Sequence, residues 1–312
     1  MIIRSRVSTF QLGSMSNKIR KLEAALALRA DAIVGESPVW SAGENLLYWV
    51  DITRGVIHRY HPSSGLNEKF KVPQPVSALA LREKGGLVLA LRDGFAFFDP
   101  TSGELEMIGD PEENLPDNRF NDAKCDPQGR FWGGTMSNKR WNEPSGSLYR
   151  LDPDLKILKM RGGVVCSNGM GWSPDGKTMY HTESFRYAIY AFDFDPSSGD
   201  ISNRRVFAKV DQKSGVFPDG LTVDRDGFVW SVHNAVAKVV RYNTRGVIVA
   251  EIEVPVPRPC GCAFGGEHFD RLYITTARET LTDETLREIP LCGSIFVVEP
   301  GVKGFPEPLF KG

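Results

Sequence analysis

A four-residue turn followed by an aromatic, β-rich run recurs six times along this 312-residue chain, and no other feature restricts the fold as strongly. The clearest turns are Asp126-Pro127-Gln128-Gly129, Ser173-Pro174-Asp175-Gly176, Asp224-Arg225-Asp226-Gly227 and Gly265-Gly266-Glu267-His268. Weaker copies begin at Ser41 and Arg82. After each turn comes a run such as Leu47-Tyr48-Trp49-Val50 or Phe228-Val229-Trp230-Ser231, then a third apolar run that commonly ends in an acidic residue and Pro, as in Leu151-Asp152-Pro153. Short aromatic and β-branched runs punctuated by Gly and Pro are strand signals. Units of three to four strands spaced by roughly 40–50 residues have the period of propeller blades. A β-sandwich also has short strands at regular spacing, but it does not predict the same turn–aromatic–acid order six times. The expected fold is all-β: a six-bladed β-propeller of four-stranded antiparallel blades around a central channel, over residues 31–312. Residues 1–30 read as an N-terminal extension, partly flexible or helping to close the ring, and Met15 offers a second start. Helices are expected at Lys18–Ala30 and at Thr282–Ile289, where Thr282 can cap the first turn.

Charge and cysteine usage remove several function classes. With 38 Lys+Arg against 39 Asp+Glu and no run of five like charges, the chain shows no sign of the clustered basic surface that nucleic-acid binding requires. The longest apolar runs are strand-sized, so no membrane span is expected. Cys125, Cys166, Cys260, Cys262 and Cys292 are irregularly spaced, which fits neither a zinc knuckle nor a disulfide framework. They read as free thiols in a cytoplasmic protein, a monomer or weak homo-oligomer.

Aligning the six turns on their first residue and stepping back five positions gives Glu36, Ser77, Asn121, Asn168, Asp219 and Cys260. The first strand of each propeller blade lines the channel, so equivalent positions form a ring near one mouth. Glu36 and Asp219 would repel each other there unless a cation lies between them or one is protonated. Carboxylates with Asn carbonyl oxygens are the donor set of a hard divalent cation. Ca²⁺ is placed first, with Zn²⁺, Mn²⁺, Mg²⁺ or Fe²⁺ as alternatives. Asn168-Gly169 and Asp219-Gly220 are each turn dipeptides when taken singly; Glu36, in the same register, has no such explanation. His181 and His233 lie on second strands and read as core histidines.

At these residues the chain resembles the senescence marker protein/gluconolactonase/luciferin-regenerating family of six-bladed propellers, from about Ala32 to the C-terminus. The matching stretches are Gly35-Glu36-Ser37-Pro38-Val39-Trp40, Asn118-Arg119-Phe120-Asn121-Asp122, Gly134-Thr135-Met136, Ser167-Asn168-Gly169, Pro218-Asp219-Gly220 and Phe264-Gly265-Gly266. The resemblance implies one divalent metal on Glu36, Asn168 and Asp219, with Arg119 and Asn121 holding the substrate, and hydrolysis of aldonolactones to open acids. Lys139 stands where the family often has an acidic substrate contact. On this reading Asp219 is the catalytic base, and Arg119, Asn121 and Lys139 bind a hydroxyl-rich sugar lactone at a mouth without an apolar slot. An organophosphate or ester hydrolase on the same metal propeller, and a non-catalytic propeller stabilised by its ion, are the competing readings.

Overall fold

The computed structural model describes residues 19–312; most of the expected N-terminal extension and the alternative start at Met15 lie outside the described residues. Six antiparallel sheets are arranged as a β-propeller. Their innermost strands are Gly35–Ser41, Val76–Leu81, Asn118–Cys125, Ser167–Trp172, Phe217–Val223 and Pro259–Gly265. Each touches the next around a closed ring, the last meeting the first. In blades one to four the strands run outward in chain order, so each of these four is a meander.

The recurring turn and the aromatic residue after it are one mechanical unit. In the third blade Asp126 Oδ1 accepts from the amides of Gln128 (2.9 Å) and Arg130 (3.1 Å). Its Oδ2 accepts from Trp132 Nε1 (3.0 Å) and Arg130 Nε (2.7 Å). The fifth blade repeats this, with Asp224 receiving the amides of Asp226 and Phe228, Trp230 Nε1 at 2.8 Å and Arg241 Nε at 2.8 Å. One buried carboxylate therefore ties the turn to the indole of the following strand, and both indoles are among the most buried side chains. Gly129 and Gly227 close their turns at φ of 86° and 76°, a region that side chains with a Cβ avoid.

The helix expected over Lys18–Ala30 does not form in its described part, residues 19–30. Arg20–Glu23 runs parallel to Ile248–Glu253 as a fifth strand on the fifth blade, and Ala25–Leu28 pairs antiparallel with Ile295–Val298 as the outer strand of the sixth. Ala, Leu, Glu and Lys favour helix locally, but two open sheet edges offer this segment backbone partners that an isolated short helix cannot match. The sixth blade is thus assembled from both ends of the described chain. The expected second helix forms as Asp283–Glu288, with Thr282 Oγ1 accepting from the Thr285 amide at 3.2 Å. No helix among the described residues is long and apolar enough to cross a membrane, and all five cysteines are buried and unpaired.

His181 and His233 are core residues: His181 Nε2 meets Ser167 Oγ at 2.8 Å, and His233 Nε2 meets the Tyr242 hydroxyl at 3.1 Å. Burial pushes each imidazole down to about 4. A lowered histidine pKa means that the unfolded chain takes up the proton first as pH falls. Stability is therefore complete above the unfolded value near 6.5 and is lost on the way to 4. Urea unfolding should show the wild type losing on the order of 2 kcal/mol more than His181→Asn between those limits. Equal losses in the two proteins would mean that His181 is not buried in its neutral form.

Candidate metal and substrate site

The six ring residues stand where their strands depart from regular pairing. Between the first and second strands of every blade the register shifts once: at Glu36/Val39, Val76/Ala78, Phe120/Asp122, Asn168/Met170, Pro218/Leu221 and Pro259/Cys262. Each ring residue borders or lies within its shift. A bulge bends the strand and re-aims the local side chain, so six in register direct six side chains toward the axis. Ser37, next to Glu36, holds a left-handed φ of 47°, which is costly for a residue with a Cβ. Two contacts hold it there: its amide donates to Glu36 Oε2 at 3.0 Å, and its Oγ accepts from the Leu79 amide at 3.1 Å.

Glu36, Asp219 and Cys260 converge, each offering a donor atom within 4.8 Å of the others, and all three are buried. Asn168 lies beside Asp219 and is anchored by donating from Nδ2 to Ser184 Oγ at 3.1 Å. Asn234, which sequence reasoning missed, donates from Nδ2 to Asp219 Oδ2 (3.1 Å) and to the Pro259 carbonyl (3.0 Å). Burial, then the charge of Asp219 and of Asp122 one layer deeper, holds the Glu36 carboxyl well above the usual range. Burial likewise pushes Asp219 up to about 7 and Asp122 up to about 6. Among the described residues neither Glu36 nor Asp219 has a salt-bridge partner. Two carboxylates nine-tenths buried, close to each other and without a salt bridge among the described residues, fit a divalent cation.

The other half of the ring is occupied by its own contacts. Arg119 Nη1 donates to Asn121 Oδ1 (2.8 Å) and to the Phe120 carbonyl (2.9 Å), and its Nε donates to Asn138 Oδ1 (3.1 Å). Asn121 Nδ2 donates to the Ser167 carbonyl at 2.7 Å. With its oxygen committed to Arg119, Asn121 is placed to position that guanidinium. Ser77 Oγ donates to the Phe120 carbonyl at 2.7 Å and is structural. Lys139 stands at the rim, in the loop after Phe131–Ser137, paired with Asp117 and 70% exposed.

An apolar wall is the main surprise at this mouth. Trp141 stacks on Phe185 (centroids 6.2 Å apart, 22° between planes), and Phe185 meets Phe217 edge-on at 5.2 Å. Phe217 precedes Asp219 by two residues, and Phe185 follows Ser184, the partner of Asn168. These three aromatic side chains thus adjoin the segments that carry Asp219 and the Asn168 partner Ser184. These aromatics sit in connections and at a strand start, outside the repeat pattern that guided the search. Below the ring a cavity of about 30 Å³ is lined by Glu36, Asp122 and Lys124 among others. Lys124 there pairs with Glu307 of the C-terminal segment at 2.9 Å.

Fold and site together define a six-bladed propeller with an acidic, amide-lined centre at one mouth of its axis. The chain belongs to the SMP-30/Gluconolactonase/LRE-like family, which it matches over residues 34–278. It is 36% identical over 285 residues to a 6-deoxy-6-sulfogluconolactonase of Pseudomonas putida, covering 91% of this chain and 97% of that one. It is 34% identical over 285 residues to regucalcin of Xenopus laevis, covering 89% and 95% of the two chains. Among solved structures, a calcium-binding protein, regucalcin, of Agrobacterium tumefaciens superposes with a TM-score of 0.89 at 29% identity, covering 94% of this chain and 99% of that one.

Proposed function

We propose that this chain is a metal-dependent lactonase that opens aldono-1,4- or 1,5-lactones to aldonic acids, with one divalent cation on Glu36, Asn168 and Asp219. The observation that carries the reading is the buried pair Glu36 and Asp219, without a salt bridge among the described residues, beside an Arg119 guanidinium pinned by Asn121 and Asn138. The names of the relatives, a sulfogluconolactonase and regucalcins, support the substrate class and the cation.

When bound, the cation supplies Lewis acidity toward the lactone carbonyl and lowers the pKa of a water beside it. The chain's own groups do the rest. Asn234 orients the Asp219 carboxylate through Oδ2, and this carboxylate takes the proton of the attacking water. As water adds to the carbonyl carbon and the ring C–O bond breaks, that proton passes to the departing ring oxygen. Arg119 offers planar donors to the substrate oxygens, where negative charge develops, and Asn121 holds it in place. Lys139 at the rim meets the distal hydroxyls. Trp141, Phe185 and Phe217 take the C–H face of the ring and exclude water from that side.

Proton release from a matched panel tests this. Five- and six-carbon aldonolactones should be hydrolysed faster than plain aliphatic lactones and phosphotriesters, because buried donors reject analogues that leave them unpaired. Lys139→Glu should reorder the sugars more than it lowers the overall rate. A phosphotriester as the preferred substrate, or no turnover of any lactone with metal bound, overturns the reading.

A further inference from the structure

We propose that Cys260 is a further ligand of the cation and makes this centre prefer a thiophilic metal of the Zn²⁺ type over Ca²⁺; the inference rests on the metal site proposed above. Cys260 occupies the sixth place of the ring, on the same bulge register as Glu36 and Asp219, and its Sγ lies within 4.8 Å of a carboxylate oxygen of each. It is 3% exposed, so this sulfur is withdrawn from bulk solvent.

Independent features tie the thiol to the same centre. The Asn234 amide that fixes Asp219 Oδ2 at 3.1 Å also reaches Cys260 Sγ at 3.8 Å, so one side chain orients an oxygen and a sulfur together. Gly261, the next residue, lets the Glu36 carboxylate approach this strand: a Cβ there would stand 2.9 Å from Glu36 Oε2 and 2.7 Å from Pro38 Cδ. Glu36, 7% exposed and without a salt-bridge partner among the described residues, brings a carboxylate oxygen within 4.8 Å of the Cys260 sulfur.

Ca²⁺ takes six to eight oxygen ligands, whereas a thiolate adds nothing that a hard ion seeks. Zn²⁺, Co²⁺ and Cd²⁺ accept sulfur, carboxylate and amide oxygens together. On binding, the Cys260 S–H proton leaves to solvent as the metal–sulfur bond forms, so no oxidant or reductant is involved.

Co²⁺ and Zn²⁺ titration of the chelator-stripped protein tests the assignment. Co²⁺ should give the near-ultraviolet thiolate-to-cobalt charge-transfer band in the wild type, in Cys166→Ser and in Cys262→Ser, and no such band in Cys260→Ser. Cys260→Ser should weaken Zn²⁺ by about tenfold or more, the size of effect found for changes around metal ligands, and leave Ca²⁺ affinity unchanged. Co²⁺ bound to the wild type without the band overturns the role of Cys260 alone and does not depend on a variant folding. Failure of the wild type to bind any of the three ions overturns the metal site itself and Cys260 with it.

Discussion

Asp219→Ala should lose its cation and its turnover together, with lactone hydrolysis falling by about a thousandfold or more. Two functions end in one side chain. The substitution removes one of the charged groups that hold the ion, leaving Glu36, the neutral Asn168 and the sulfur of Cys260. It also removes the proton acceptor, and loss of Lewis-acid and general-base assistance together is worth several kcal/mol of barrier, on the order of 10³ in rate. The metal-free protein should respond in the opposite sense. Glu36 and Asp219 repel each other when no ion separates them, so metal-free Asp219→Asn should melt no lower than metal-free wild type. Metal content by mass spectrometry, proton release and thermal unfolding read the three effects. Full metal occupancy in Asp219→Ala would remove Asp219 from the ligand set.

Arg119→Ala should cut turnover by about 10²–10³, the range for deleting a donor aimed at developing negative charge, while metal content stays at the wild-type level. The separation of effects follows from geometry. Arg119 contacts Asn121, Asn138 and a backbone carbonyl, and none of its contacts is a proposed ligand. Arg119→Lys should rescue little, because an ammonium cannot keep Asn121 and Asn138 bonded in one plane and still present a donor. Metal loss in Arg119→Ala would move this residue into the ion's support. Unchanged turnover would remove it from catalysis.

The fold was legible because the repeat is physical. Asp126 with Trp132, and Asp224 with Trp230, are the same carboxylate-to-indole tie written twice, and tracing it back five residues locates the ring. The bulges that aim the ring inward were not legible, since register shifts depend on the partner strand and leave no local pattern. The Arg20–Leu28 segment misled because its composition favours helix, while the outcome was decided by two sheet edges hundreds of residues away. Asn234 lies at the end of a second strand and enters the site only because that strand returns beside Asp219. Trp141, Phe185 and Phe217 come from three different blades, so their stacking is a product of ring closure alone.

The most direct test is the activity of protein stripped by chelator, verified metal-free by mass spectrometry, and assayed for proton release from glucono-1,5-lactone before and after one equivalent of divalent cation is returned. The account predicts no enzymatic turnover in the stripped protein and recovery with the single equivalent in the wild type, but no recovery in Asp219→Ala. Undiminished hydrolysis by the verified metal-free protein would contradict it.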